Sequence, residues 1–412
     1  VHRRGMRVII DGVFNHCGSV NKWLDREQIY KRSGLYDEGA YCSKKSPYHS
    51  FFKFQEESEW PNNESYDGWW GHKTLPKLNF EGSEDLWNYI MGIARKWVSP
   101  PYEVDGWRLD VAADLGNSSE CNHRFWKEFR KTVKEANPEA VILAEHYGDP
   151  KNWLEGDQWD TIMNYVAFME PLTWFLTGME KHSDEYVPER IGKIQDFEGA
   201  MRHYMTSFMT SSLLCSMNQL SNHDHSRFLT RTNHKAGRVE YLGAAAAEEG
   251  VDYRVMREAV LIQMTWPGAP TVYYGDEVGL CGFTDPDNRR TYPWGHENRE
   301  LLDFYRDLIW IHKGNEAFCT GSFRFLDSSD QFLCYARFNR KQQFIIIVNN
   351  DDAEKTTQLR VVGAGVPEEG MMRRVIVTTE NGYSLMPQYY PIKKGNIFVS
   401  MQKKSAVILE RI

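Results

Sequence analysis

The sequence has no hydrophobic run of transmembrane length and no stripe of basic residues. Its 412 residues include 49 lysines and arginines against 57 aspartates and glutamates, which gives a net charge of −8. Nucleic-acid-binding domains concentrate positive charge on one face, and a membrane-spanning helix needs about 20 predominantly apolar residues in succession. We therefore expect neither a nucleic acid nor a membrane as partner. The sequence contains no indication of oligomeric state.

Cysteine is scarce and irregularly spaced. The seven cysteines are odd in number, and no two of them lie close together in sequence. Zinc sites and redox centres use closely spaced pairs, and disulfide frameworks use even counts. The sequence therefore predicts neither a zinc site nor a disulfide framework. It also shows no internal repeat and no low-complexity tract.

Four short segments share one pattern, in which an apolar run ends in acidic residues or histidine. They are RVIIDGVFNH (Arg7–His16), VDGWRLDVAAD (Val104–Asp114), AVILAEHYGD (Ala140–Asp149) and NQLSNHDHSR (Asn218–Arg227). A polar residue at the end of a buried strand must be satisfied without water, so this placement is typical of functional chemistry. Amphipathic stretches separate the segments, and such strand–helix alternation predicts a parallel α/β barrel. Active sites of these barrels lie at the carboxyl ends of the strands.

Two of these segments place carboxyl groups in different settings. Alternation puts Arg108 and Asp110 on one face of a strand, opposite the apolar residues between them. We expect the fixed positive charge of Arg108 beside Asp110 to favour the carboxylate form that a nucleophile requires. Glu145 shares its face with Val141 and Leu143, an apolar setting that raises the pKa of an acid and suits a proton donor. Two carboxyl groups tuned in opposite directions are typical of glycoside hydrolysis.

Other interpretations of the same residues stay open at this point. Each segment alone also fits a structural ion pair or an acid that caps a helix. His223 and His225 share a face of their segment, and with nearby carboxylates they fit a metal-dependent barrel hydrolase. Against that, the guanidinium of Arg108 repels a cation. A non-catalytic sugar-binding protein is a second alternative, although such proteins typically lack one of the catalytic acids. Metal analysis and a turnover assay on a maltooligosaccharide distinguish these alternatives.

Together the segments resemble the α-amylase superfamily of retaining glycosidases, glycoside hydrolase family 13. DGVFNH, GWRLDVAAD, ILAEH and SNHD match its characteristic regions in order and spacing, from residue 1 to about residue 310. The resemblance implies that Asp110 is the nucleophile, Glu145 the general acid/base and Asp224 a third carboxylate that binds sugar hydroxyls. It also implies that Arg108 orients Asp110, and that Asp11 is a structural acid.

The resemblance extends to groups around the carboxylates. It implies that His16 and His223 hydrogen-bond the sugar in the cleavage subsite. It requires no organic cofactor and assigns no metal ligand among these residues. A calcium ion near Asn15 is compatible with it, although the chain has no acidic loop that would make calcium compelling.

Two further stretches narrow the subgroup: the first resembles a motif of neopullulanase-like and oligo-1,6-glucosidase-like members, and the second resembles a segment of neopullulanases, cyclomaltodextrinases and maltogenic amylases. These are LPKLNF (Leu75–Phe80) and GDEVGLCGFTDPDNRRTYPW (Gly275–Trp294). In the second stretch the resemblance implies that Asp287 and Arg289 help to shape the cleavage subsite, whereas without it DPDN fits a simple turn. The subgroup implies α-1,4-linked substrates, with oligo-1,6-glucosidase or transglycosylating activity as the alternative. His146 departs from the subgroup pattern and leaves linkage preference open.

Residues 17–85 lack regular periodicity, which predicts an excursion after the strand that bears His16. The resemblance identifies it as the family's B subdomain, one wall of the substrate cleft. Aromatic residues, which stack on sugar rings, are concentrated there: Trp60, Tyr66, Trp69, Trp70 and Phe80. We expect most of them to form the subdomain's own core, with Trp69 and Trp70 as the candidates for sugar contact.

The predicted architecture is α/β, with strands three to eight of a TIM (β/α)8 barrel in residues 1–315 and an antiparallel β-sandwich in residues 316–412. The stretch 126–138 predicts a helix that ends before Pro138. The resemblance also implies that strands one and two precede residue 1, so localisation is not predicted. Because unpaired strand edges favour aggregation, we expect residues 1–412 alone to be poorly soluble and inactive.

Overall fold

The computed structural model describes all 412 residues, which form two compact units, Val1–Met163 and Asn164–Ile412. The structure has six short parallel strands, and four of them begin the four motif segments, as predicted. The first four form one sheet in sequential order within the first unit, and the last two pair within the second. Their bounds are β1 Ile9–Gly12, β2 Gly106–Leu109, β3 Val141–Ala144, β4 Thr161–Ile162, β5 Met217–Gln219 and β6 Ala269–Thr271.

Helices follow most of these strands. Those of the first unit are α1 Ile29–Ser33, α2 Glu84–Val98 and α3 Ser119–Ala136. Those of the second are α4 Glu170–Thr177, α5 Ile194–Met205, α6 Thr210–Leu214, α7 Phe228–Arg231, α8 Val239–Leu242, α9 Tyr253–Thr265, α10 Arg299–Gly314 and α11 Glu316–Cys319. The helix predicted over 126–138 is confirmed as α3, which begins earlier because the Ser118 hydroxyl caps it. None of these helices has the length and apolar character that crossing a membrane requires.

Strand β2 buries one face and exposes its motif residues on the other. Trp107 and Leu109 are buried, and the Trp107 indole N–H donates to the Ala94 carbonyl in α2. Arg108, between them, points to the opposite face, as alternation predicts. The regular alternation does not continue to Val111, whose backbone is left-handed (φ 37°, ψ 46°). Val111 therefore lies outside the alternation of β2, because the strand ends at Leu109.

Residues 17–85 have little regular structure beyond α1 and short 3-10 turns. Buried aromatic residues form a small core there, including Phe51, Phe52, Phe54 and Tyr66. Isolated antiparallel bridges join His16 to Lys77 and Gly68 to Pro76. The excursion is therefore attached to the end of β1, so that its aromatic residues lie beside the segment that carries His16.

The chain ends in antiparallel strands. They are β7 Ser322–Phe325, β8 Phe332–Phe338, β9 Gln343–Asn349, β10 Lys355–Arg360, β11 Gly370–Thr379, β12 Gly382–Ser384, β13 Tyr389–Ile392, β14 Asn396–Met401 and β15 Ser405–Arg411. Seven form one sheet, and β10 pairs with β14. Alternate residues of β8 lie in two different cores: Leu333 and Tyr335 with the helices, Cys334 and Ala336 with β10 and β14. This two-sided burial is that of the predicted β-sandwich.

Candidate active site

Arg108 is the centre of the charged groups at the carboxyl ends of β1, β2 and β3. Its Nη1 lies 2.9 Å from Oδ1 of Asp11 and 2.8 Å from Oδ1 of Asp110, and its Nη2 lies 2.8 Å from Oε1 of Glu145. Burial would lower the pKa of Arg108, but the charges of Glu145 and Asp11 outweigh it and raise the pKa above its ordinary value. One fixed cation therefore contacts a carboxylate from each of three neighbouring strands.

Glu145 is buried, with 2% of its surface exposed. Its setting is less apolar than the sequence predicts, because alternation along β3 does not reveal the guanidinium that reaches it from β2. Its Oε1 pairs with Arg108, and its Oε2 accepts a hydrogen bond of 3.0 Å from the backbone N–H of Val111. The second donor is a backbone group, which no sequence pattern indicated.

His16 is buried beside Asp110 and is covered by Trp69. The two rings stack with centroids 5.0 Å apart and an interplanar angle of 7°. Burial lowers the pKa of His16, and the charge of Asp110 opposes this only in part. The imidazole is therefore neutral near pH 7. Asn15 Nδ2 lies 3.2 Å from Nδ1; when the amide donates to Nδ1, the proton is carried on Nε2.

The two adjacent tryptophans of the excursion differ in role. The Trp69 indole N–H donates to Oδ2 of Asp114 at 2.8 Å, which joins the excursion to the turn that follows β2. Trp70 is 81% exposed, and its backbone is left-handed at φ 49°. Trp69 is therefore committed to His16 and Asp114, whereas Trp70 presents a free aromatic face. Asp114 was not among the predicted site residues.

A calcium site at Asn15 would need more oxygen ligands than the structure supplies. Oδ1 of Asn15 is buried and has no protein hydrogen-bond partner, so this one atom fits a cation. Calcium binds six to eight oxygens, and the polar neighbour of the Asn15 side chain is an imidazole nitrogen. One side-chain oxygen does not by itself make a calcium site.

In the second unit, the turn after β5 presents His223 and Asp224. The backbone N–H groups of Asp224 and His225 both donate to Oδ1 of Asn222 at 3.0 Å, which fixes the turn. His223 Nε2 lies 3.5 Å from Oδ1 of Asp224, and both side chains are about one-third exposed. A fixed backbone under exposed polar side chains suits ligand binding.

The DPDN segment packs against this turn through a residue that the sequence did not single out. The buried Asn288 amide donates to the carbonyls of Asn222 and His225, at 3.1 and 2.8 Å. Arg289 donates from Nε to the His223 carbonyl at 3.2 Å and pairs with Asp285 at 2.6 Å. Asn288 and Arg289 thus both contact the turn.

Asp287 is engaged within its own segment. Its Oδ2 accepts from the backbone N–H of Phe283 at 2.8 Å, and both of its oxygens accept from Arg290. Its carboxylate therefore shapes the loop by holding it closed.

The role of Asn288 could have been predicted from the sequence, because asparagine in a turn commonly hydrogen-bonds to nearby backbone groups.

The predicted site residues thus fall into two groups, one in each unit. The first holds Asp11, His16, Trp69, Trp70, Arg108, Asp110 and Glu145; the second holds His223, Asp224, Asp287 and Arg289. Three carboxylates at the ends of adjacent parallel strands contact one arginine, and a neutral histidine lies beside Asp110; this arrangement is typical of the active sites of α/β-barrel glycosidases. The chain belongs to the α-amylase family: the family description "Alpha amylase, catalytic domain" matches residues 1–343.

Similar proteins agree with this membership. A cyclomaltodextrinase of a Bacillus species is 31% identical over 362 residues, covering 86% of this chain and 56% of the relative. An amylopullulanase of Thermoanaerobacter thermohydrosulfuricus is 29% identical over 438 residues, covering 99% of this chain and 28% of the relative. The chain thus spans between 28% and 56% of these two relatives.

The solved debranching enzyme of Nostoc punctiforme is similar in structure as well as sequence. It superposes with a TM-score of 0.77 at 27% identity, covering 99% of this chain and 76% of that chain. Together with the family match, this likeness confirms the predicted barrel fold with its C-terminal antiparallel domain.

Proposed function

We propose that the protein is a retaining α-glucan hydrolase. The observation that carries the proposal is the contact of one partly buried guanidinium, that of Arg108, with both Asp110 and Glu145 at the ends of adjacent strands. Retaining glycosidases need two carboxyl groups held about 5–5.5 Å apart, one as nucleophile and one as acid/base. A shared arginine holds the two groups close without letting them contact each other. Family membership makes glycoside hydrolysis the reaction class to test.

In the first step, Glu145 gives its proton to the glycosidic oxygen while an Asp110 oxygen attacks the anomeric carbon. The glycosidic bond breaks, the leaving sugar departs with the proton, and the remaining sugar is esterified to Asp110. Glu145 then removes a proton from water, whose oxygen attacks the anomeric carbon and frees Asp110. Two inversions retain the α configuration.

The remaining residues bind the sugar. His16, neutral through burial, donates from Nε2 to a sugar hydroxyl. In the second unit, Asp224 accepts from sugar hydroxyls, and His223 and Arg289 flank it. Trp70 offers its exposed face to a sugar ring outside the cleavage subsite, since sugar rings stack on aromatic side chains.

The substrates that we propose are α-1,4-linked maltooligosaccharides, cyclodextrins and pullulan, with some α-1,6 cleavage and transglycosylation. The motifs LPKLNF and DPDN support this choice, as do relatives named cyclomaltodextrinase and neopullulanase. Products from maltotriose, pullulan, cyclodextrin and isomaltose distinguish the alternatives. Turnover of isomaltose alone would favour an oligo-1,6-glucosidase. We assign calcium no step, and we expect EDTA to leave the rate unchanged.

The first prediction tests the two carboxyl groups in the intact protein. Asp110→Asn and Glu145→Gln should each lower kcat by orders of magnitude, because each removes a reacting group. Glu155→Gln, at an exposed carboxyl in the same unit, is the matched control and should retain wild-type rate. Proton NMR should show the α anomer forming first. Inverted product, or near-native activity in Asp110→Asn, contradicts the mechanism.

A further inference from the structure

Val111 has the least favourable backbone conformation for its residue type in this protein. Eleven non-glycine residues have positive φ, and Val111, at φ 37°, is the only one among them with a β-branched side chain. The left-handed region brings Cβ close to neighbouring backbone atoms, and branching at Cβ makes the crowding worse. Such a conformation persists only where surrounding contacts hold it, and it is found most often at functional sites.

The contacts that hold Val111 connect it to the site. Its N–H donates to Glu145 Oε2 at 3.0 Å, and its carbonyl accepts from Asp114 N–H at 2.9 Å. On one side Asp110 N–H donates to the Gly12 carbonyl at 3.1 Å, and on the other Ala112 N–H donates to the Glu145 carbonyl at 3.3 Å. The peptide between Asp110 and Val111 is thus turned so that its N–H faces the Glu145 carboxylate.

We propose that Val111 is a positioning residue, whose left-handed backbone aims a peptide N–H at the second oxygen of the acid/base Glu145. This inference rests on the proposed function, because it concerns the acid/base of that reaction. Arg108 forms an ion pair with Oε1, and Val111 N–H donates a hydrogen bond to Oε2, so each oxygen contacts a different group. These two contacts fix the plane of the Glu145 carboxyl group relative to the side chain of Asp110, the residue before Val111.

The N–H also affects proton transfer. A donor on a carboxylate favours its ionised form, so Val111 N–H opposes the desolvation that favours the protonated acid. Without the N–H, Glu145 should keep its proton to higher pH. The alkaline limb of the kcat/KM profile reports loss of that proton from the free enzyme. The acid limb, which reports the nucleophile, does not depend on this bond.

The test removes only the N–H. The α-hydroxy acid analogue of valine, placed at position 111 by nonsense suppression in the intact protein, replaces the amide with an ester. We expect the alkaline limb of kcat/KM to move up by about one pH unit, a tenfold change in acid ionisation, with the acid limb unmoved. Val111→Asn keeps the N–H in a residue that tolerates the left-handed region. It should match the wild-type profile and melt at the same or a higher temperature.

A third variant covers failure of the ester to fold. Val111→Gly keeps the N–H but removes the side chain that restricts the peptide, so its alkaline limb should move in the same direction by less. If the wild-type protein shows no glucan turnover, the proposed function fails. If the wild type is active but the ester variant keeps the wild-type alkaline limb, the role of Val111 is overturned while the proposed function stands. Where the ester variant does not fold, an unmoved alkaline limb in the glycine variant has the same meaning. A shifted limb in Val111→Asn overturns it as well.

Discussion

At the scale of single residues, the stacked pair of His16 and Trp69 links burial to protonation. The folded state binds a proton at His16 less readily than the unfolded chain, because burial lowers its pKa. Stability from this site is therefore fully present above the ordinary value of 6.5 and decreases as the pH falls through the lower folded pKa.

The second prediction concerns Trp69→Ala, which uncovers the His16 ring. Since burial is the main cause of the lowered pKa, the pKa of His16 should rise toward 6.5. An NMR titration of the imidazole measures it. Trp70→Ala is the matched control and should leave this pKa unchanged. It should instead raise KM for oligosaccharides about threefold to tenfold, as expected for loss of roughly one kcal/mol of stacking. An unmoved His16 pKa in Trp69→Ala would contradict the account.

Sequence alone predicted some of these residues and missed others for physical reasons. Arg108 and Asp110 lie two apart on one strand, so alternation placed them on one face. The pairing of Arg108 with Glu145 crosses strands, and no pattern within a strand reveals it. The hydrogen bond of Val111 is made by its backbone, and its left-handed conformation contradicts the ordinary preference of valine. Such contacts depend on three-dimensional register and carry no local signal.

At the scale of elements, the segment after α4 forms a small hairpin built on one acid. Met179 and Tyr186 form an antiparallel bridge, and Glu180 accepts from the backbone and ring nitrogens of His182 at 2.6 and 2.9 Å. Burial would raise the pKa of Glu180, but the hydrogen bonds and charge of His182, with the charge of Lys181, lower it to about 2. The ionised carboxylate is thus the group that stabilises the hairpin.

The third prediction is that Glu180→Gln destabilises the protein by about 3 kcal/mol at pH 7, because folding lowers the pKa of Glu180 from 4.5 to about 2. Because the folded pKa is lowered, the contribution is present above the ordinary 4.5 and is lost as pH falls through about 2. Urea unfolding at several pH values should show wild type and variant converging in acid. Glu185→Gln, an exposed acid of the same hairpin, is the control. A difference that persists at pH 2 would rule this out.

The helices and strands of the structure agree best with those predicted from the sequence where the apolar pattern is strong. Short apolar segments without intervening helices predicted the C-terminal sandwich, whose central strands β8 and β9 are buried along almost their whole length. Strand β4 has only two residues, Thr161 and Ile162. The chain turns there because the Asn164 side chain accepts from Ala167 N–H at 3.1 Å and begins a π-helix over Tyr165–Met169. A side-chain cap of this kind outweighs β-propensity.

At the scale of the whole molecule, one core of the second unit contains a carboxyl group with no partner. Glu258 on α9 is fully buried among the apolar residues that join the helices to the sheet, and neither of its oxygens has a protein hydrogen-bond partner. Burial raises the pKa of Glu258 well above its ordinary value, so the acid is protonated when folded. The folded state then binds a proton that the unfolded state releases above pH 4.5.

The fourth prediction is that Glu258→Leu stabilises the protein, because it removes a buried unsatisfied group whose cost is about 1–3 kcal/mol. The protonated Glu258 carboxyl makes its full contribution to the free energy of unfolding only below pH 4.5. The stability gained by the leucine variant should therefore grow as the pH rises above 4.5. Urea unfolding at pH 5 and pH 8 measures this. Glu258→Gln, which stays polar but does not titrate, should lose the pH dependence without the full gain. A leucine variant less stable at both pH values would refute the prediction.

The shared arginine also bears on how the chain finds its alignment during folding. Asp11 pairs with Arg108 across β1 and β2, and Arg108 with Leu143 across β2 and β3. A slip of one residue would turn Arg108 to the helix-facing side, leaving the carboxylates of Asp11, Asp110 and Glu145 close together without a cation. Misaligned sheets would thus be selected against by charge repulsion as well as by lost packing. Catalytic competence and correct strand alignment would then be acquired in a single event.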